Sequence, residues 1–152
     1  MTLLKLFFCL LAAAGIGIPP ALATSEIDLS DYRWKHRPLF IFAPSAADAT
    51  YLALDKRLVQ SIPEIEDRDM ILFRIFEDSP SRVSDTPIPP GDAEALRRRF
   101  GIKPGRFTVV LVGKDGGVKW VAHRDADLQS IFNRIDSMPM RQQEMRDQRS
   151  PR

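Results

Sequence analysis

The stretch Pro38-Leu39-Phe40-Ile41-Phe42-Ala43-Pro44-Ser45-Ala46-Ala47-Asp48, with the apolar stripe Tyr51, Leu54, Leu58 and Ile62 behind it, decides the fold. Leu39–Ala43 is apolar without interruption, the pattern of a strand buried on both faces. Pro44-Ser45 breaks the run, and Ser45 with an acid three residues on reads as a helix cap. The stripe has helical spacing, and Pro63 stops it because proline offers no N–H to the preceding turn. A strand therefore feeds directly into a helix. Met70-Ile71-Leu72-Phe73-Arg74-Ile75-Phe76 is a second strand, and a helix crossing between two such strands implies parallel pairing.

Downstream, Glu77–Gly91 holds Pro80, Pro87, Pro89 and Pro90 and reads as a loop, long for a compact domain. Asp92 is placed to cap a short helix through Ala95, Leu96 and Phe100, closed by Gly101. Phe107–Val112 is a third strand and Val118–Ala122 a fourth. The tight turn Lys114-Asp115-Gly116-Gly117 between them makes a hairpin. Asp125 then caps a helix whose core face is Leu128, Ile131, Phe132, Ile135 and Met138. Arg141–Arg152 is nearly all polar and is expected to fray as a disordered tail. The order β-α-β-α-β-β-α describes an α/β domain with a mixed sheet of four or five strands, the layout of the thioredoxin-like fold.

Upstream, Met1–Lys5 carries one positive charge, Leu6–Ile18 is apolar, and Ala21-Leu22-Ala23 follows Pro19-Pro20. A basic start, an apolar run and a small-x-small site make a secretory signal peptide over residues 1–23. The apolar run is shorter than the roughly 20 residues a bilayer span requires, so no stable membrane anchor is expected after cleavage. The expected organisation is a signal peptide, a domain over residues 24–140 and a polar tail over 141–152, with the product periplasmic or secreted. The single cysteine, Cys9, lies inside the apolar run, so residues 24–152 hold no thiol, disulfide or thiolate metal site. A net charge of +2 provides no strongly basic surface for nucleic acid.

Three stretches carry a resemblance. They are Tyr32-Arg33-Trp34-Lys35-His36-Arg37-Pro38-Leu39, Phe107–Lys119 with its Gly-Lys-Asp-Gly-Gly turn, and Ile135-Asp136-Ser137-Met138-Pro139-Met140-Arg141. Together they resemble the family catalogued as domain of unknown function 4174, over about Asp31 to Glu144. The resemblance implies a thioredoxin-like fold related to peroxiredoxins and an exported protein, with no established activity, ligand or cofactor. Working thioredoxin-like enzymes place a nucleophilic cysteine in the turn after the first strand, where a helix N-terminus lowers the thiol pKa. Here that turn is Ala43-Pro44-Ser45-Ala46-Ala47-Asp48. Such enzymes also place a cis-proline just before the third strand, where this chain has Arg106 and Phe107, with Pro104 further upstream. Thiol chemistry is therefore excluded.

The remaining candidates are polar. Ser45 lacks a base at a recognisable spacing and has a sufficient role as a helix cap. His36 and His123 with Asp125 give a possible metal set, but isolated histidines do not require one, and no metal is expected. Arg97-Arg98-Arg99 reads as a solvated face. Met140 and Arg141 have no structural need once Pro139 ends the helix, and exposed Met beside Arg suits a partner-protein contact. In a thioredoxin-like arrangement Arg106 faces the N–H groups of Ala46, Ala47 and Asp48. Ser45, Asp48, Arg106 and Thr108 could then form an anion pocket, or Asp48 could pair with Arg106 instead.

The leading expectation is a non-catalytic binding module of the cell envelope whose partner is an envelope protein or a small anion. The rival is an enzyme of unrecognised, non-thiol chemistry at the vacated redox turn. The signal reading predicts cleavage between Ala23 and Thr24, checked by intact-mass analysis of the envelope protein. Recovery of a species that retains Met1–Ala23 would refute it.

Overall fold

β1 (Arg37–Ala43) is buried at every position and has a strand on each side. On one side it pairs in parallel with β2 (Met70–Phe76), Leu39 opposite Leu72. On the other it pairs antiparallel with β5 (Thr108–Val112), Phe40 opposite Val110. β6 (Val118–Ala122) continues the sheet from β5 through the Lys114–Gly117 turn. There Gly116 takes φ +84°, a conformation glycine adopts without steric cost. The structure is a computed structural model and describes residues 27–150. The expected signal peptide lies outside them.

The sheet has six strands in the order β4-β3-β2-β1-β5-β6. The count exceeds the expected four or five because the proline-rich segment after β2 contains two two-residue strands, β3 (Arg82–Val83) and β4 (Thr86–Pro87). Pro87 is tolerated because β4 is an edge and needs no N–H on its outer side. Ser81 anchors the segment, its Oγ accepting from Phe76 N at 2.9 Å.

Helices cover both faces. α1 (Ala49–Gln60), α2 (Ile62–Asp67) and α4 (Leu128–Asp136) pack Tyr51, Leu54, Leu58, Ile65, Ile131 and Ile135 on Leu39, Ile41, Val109 and Leu111. α3 (Pro90–Arg99) brings Ala93 and Leu96 to the opposite face, onto Phe40, Phe42, Phe73 and Ile75. Phe100 follows it, 4.7 Å from the Phe40 ring. This cover stops short of β6. Val118 and Val121, beside Val112 and Val110, are 52% and 44% exposed.

Local boundaries depart from the sequence expectation wherever two capping residues compete. Asp48 caps α1, accepting from Tyr51 N at 2.9 Å, while Ser45 sits in the turn before it. Pro63 opens α2 instead of ending a helix, and Ile65 is buried while Ile62 is exposed. Asp92 lies buried in the first turn of α3, which starts at Pro90. Asp127, not Asp125, caps α4. The expected fraying tail is helix α5 (Pro139–Arg149), with Arg141 only 2% exposed.

Ion pairs hold α5 in place. Arg37, 1% exposed at the start of β1, donates through Nη2 to both carboxylate oxygens of Glu144, at 2.9 and 3.0 Å. Lys114 Nζ reaches the same carboxylate at 2.8 Å and Asp69 at 2.7 Å. Arg141 donates to the Asp67 carbonyl at 2.7 Å and pairs with the Asp67 and Asp136 carboxylates. Burial pushes the Glu144 carboxyl up, but hydrogen bonds from Arg37 and Lys114 outweigh it and leave it below its ordinary 4.5. A folded-state pKa below the unfolded one adds stability above the unfolded value, and that stability is lost as pH falls through the folded one. Removing the carboxylate strands a buried guanidinium. Glu144→Ala should therefore cost about 3 kcal/mol in urea unfolding at pH 7. The cost should shrink as the wild type is acidified below pH 4.5.

Candidate functional site

In open α/β sheets ligands usually sit beyond the carboxyl ends of the strands. Here Arg97 plugs that end. Its Nη2 donates to the carbonyls of Ala43 at 3.0 Å and Ile75 at 3.2 Å, the last turns of β1 and β2. Its Nη1 donates to Glu77 at 3.1 Å, and the Glu77 carboxylate also accepts from Gly105 N at 2.9 Å. Arg97 is thus a structural cation rather than part of a solvated face. Arg98 pairs with Glu94 on the surface and Arg99 stays exposed.

The turn between β1 and α1 is closed in the same way. Ala46 N donates to Ser79 Oγ at 3.2 Å and Ala47 N to Ser45 Oγ at 3.2 Å. Asp48 N donates to the Ser45 carbonyl, and the Asp48 carboxylate accepts from Tyr51 N. The three N–H groups that a bound anion would need already have acceptors. Among the described residues there is no ion pair between Asp48 and Arg106. Among the described residues the structure joins neither Ser45 nor Asp48 to Arg106 by a hydrogen bond or an ion pair.

It does bring Arg106 and Thr108 together. Both line a cavity of about 460 Å³ over the uncovered outer face of β5 and β6. Its apolar walls are Phe100, Ile102, Phe107, Val110, Val118 and Val121, and its polar groups are Lys103, Arg106, Thr108, His123 and Arg124. Strand alternation accounts for the wall. Thr108 and Val110 point to one side of β5, and Val121 and His123 point to the same side of β6. Thr108 is 3% exposed, its hydroxyl 3.4 Å from His123 Nδ1. Arg106 and Lys103 lie in the segment leading from α3 to β5, and Arg124 directly follows His123. Among the described residues no carboxylate lines the cavity. Among the described residues Lys103, Arg106 and Arg124 make no ion pair, whereas Arg37, Lys114 and Arg141 are each neutralised. Lys103 and Arg124 escaped the sequence reading as site residues, and His123 entered it only in the metal set with His36 and Asp125; the period-two alternation from Val121 to His123 was the available signal.

Met140 is 40% exposed and lines a second hollow of about 390 Å³ with Met138, Lys119 and Arg134. Arg141 does not join it as an exposed partner contact, because its guanidinium is buried against Asp67 and Asp136. His36 precedes the first residue of β1, while His123 follows β6 beyond the pair Ala122–Val109. The two histidines therefore lie toward opposite ends of the sheet. Among the described residues no group of three or more His, Cys, Asp or Glu side chains could hold a metal ion.

The family described as "Domain of unknown function (DUF4174)" matches residues 28–144. Coiled-coil domain-containing protein 80 of Danio rerio is 32% identical over 138 residues. That similarity covers 80% of this chain but spans only 16% of the length of that relative. Among solved structures, the 2-Cys peroxiredoxin of Plasmodium vivax superposes with a TM-score of 0.59 at 12% identity, over 76% of this chain and 72% of that one. The bacterioferritin comigratory protein of Xanthomonas campestris gives 0.54 at 14%, over 68% and 80%. These likenesses establish a thioredoxin-like fold.

The occupied turn makes a prediction. Titration with sulfate or phosphate to millimolar concentration should leave the amide resonances of Ala46, Ala47 and Asp48 unmoved in NMR spectra. Saturable shifts at those three amides would restore the anion pocket at the helix N-terminus.

Proposed function

The chain belongs to the family described as Domain of unknown function (DUF4174), and on that premise we propose that it is an exported, non-catalytic binding module of the cell envelope. Its binding site is the cavity over β5 and β6, and its ligand presents an anionic group on an apolar body. The observation that carries this reading is the charge inventory of that cavity. Lys103, Arg106 and Arg124 surround apolar walls, and among the described residues no lining carboxylate neutralises them. A guanidinium offers two-pronged donation to a carboxylate or phosphate, and the valine and phenylalanine surface favours an apolar body behind it. The volume is within the range of small-ligand sites.

Two further features support binding over catalysis. Residues 28–144 contain no cysteine, so the thiol of a peroxiredoxin has no counterpart. At the turn between β1 and α1, where a vacated redox site would sit, Ser45, Ser79 and Asp48 are engaged with backbone N–H groups. A convergent set of polar side chains with spare hydrogen-bonding capacity, which an enzyme at that place would need, is not what this turn offers.

Titration of the isotope-labelled protein with decanoate, read by NMR, tests the reading. Decanoate should shift the amides of Thr108, Val121 and His123 in a saturable way, and sulfate should do so far more weakly. The double variant Arg106→Ala, Arg124→Ala should weaken decanoate at least about tenfold, the effect of roughly 1.4 kcal/mol. Absence of shifts at millimolar decanoate, or binding undiminished in the double variant, overturns the reading.

A further inference from the structure

The sheet face that carries the cavity is half covered by the chain itself. Ile27 and Leu29 pack against the Phe40, Val110 and Val112 cluster, and Asp28 between them, which accepts from Ser30 N, lines the same hollow as Arg99. An apolar segment of the chain is therefore the cover this face already accepts, and the cations beyond it set the charge a further segment would carry. The hollow that Asp28 and Leu29 line meets the candidate site at Phe100 and Val118, so one strip runs along the whole of β6. Its uncovered half offers Val118 and Val121, then the unpaired cations Arg106 and Arg124. β6 is also the last strand of the sheet, so its outer backbone edge pairs with no other strand. Among the described residues, one side chain bonds its backbone, Arg134 Nε donating to the Lys119 carbonyl at 3.1 Å.

From this juxtaposition we infer that β6 and the strip beside it are a docking surface for an extended acidic–apolar segment of a partner protein. The inference rests on the proposed reading that the site takes an anionic group on an apolar body, and it names the bearer of that group. A segment laid along β6 makes main-chain hydrogen bonds to the open edge. Every second side chain then falls on the Val118 and Val121 side. Apolar residues at those positions close the open flank of the cavity, and an acid at the far end meets Arg106 and Arg124. Five strand residues give a footprint of about 17 Å, enough for five or six residues of an extended partner. Charge sets the polarity of the partner. A basic segment meets three cations without a lining carboxylate.

The test uses a capped nine-residue peptide with Thr at the even positions, Val at the inner odd positions and Glu at both ends, so that Val and Glu share one face, with a peptide carrying Lys in place of Glu as control, followed by NMR and amide hydrogen exchange. The acidic peptide should bind in the micromolar range, slow exchange of the Lys119–Val121 amides, and lose at least tenfold in affinity in Val121→Asp or in Arg106→Glu. Unchanged circular dichroism of both variants guards against misfolding. Binding of decanoate without binding of the peptide overturns the inference and leaves the binding reading intact. Failure of both removes both. Equal affinity for the basic peptide, peptide binding without protection of β6 amides, or sedimentation showing that the strip pairs with a second copy and that Val121→Asp separates it, each overturns the inference.

Discussion

The carboxylate of Glu144 holds the domain together at one end, because it satisfies two cations that the fold has already taken out of water. Arg37 opens the central strand and Lys114 opens the hairpin turn, and both point toward the same place. Without a counter-charge there, each would carry a desolvation penalty with nothing to offset it. α5 supplies that counter-charge from the far end of the chain and binds Asp67 and Asp136 through Arg141 in the same region. The three stretches by which the family is recognised meet at this junction. Trp34 N bonds the Lys114 carbonyl, and Arg33 lies against Gly116 so closely that a side-chain carbon there would sit 3.2 Å from its Nε. Their shared job is to fasten the last helix and the hairpin to the start of β1.

The opposite end of the sheet is closed by a different device with the same logic. Arg97 spends its guanidinium on strand-end carbonyls, and Glu77 ties it to the segment before β5. Both ends are filled by paired charge, while the flank beside β5 and β6 keeps cations that make no ion pair among the described residues. Pairing thus separates two kinds of cation in this molecule. Arg37, Arg97, Lys114 and Arg141 hold elements together, whereas Lys103, Arg106 and Arg124 surround an apolar hollow and make no ion pair among the described residues.

Much of the architecture was legible because apolar runs and turn residues write it directly. β1, β2, β5 and β6, the Asp115-Gly116 turn and the helices α1, α3 and α4 follow from those signals. Cap positions did not, since Ser45 and Asp48, or Asp125 and Asp127, satisfy the same preference and only packing chooses between them. α5 was hidden for a stronger reason. Its anchors are Arg141 and Glu144, and a pattern built on hydropathy reads buried ion pairs as solvent-exposed polarity. In the candidate site, Arg106 and Thr108 were reachable because the segment before the third strand has a known place in the fold. Lys103 and Arg124 were not, since their role depends on where the cover provided by α3 ends, which no local pattern records.

The anchoring of α5 has a consequence for how such a domain can be carried. Asp28 lies in the hollow beside the Gly113–Gly117 turn, and Glu144 lies on Lys114 at the same turn. The two ends of the family segment therefore emerge as neighbours. A polypeptide can enter and leave through one doorway, so the unit can be spliced into a much larger chain without rerouting its host. The zebrafish relative is such a larger chain in length alone, the matching stretch being 16% of it.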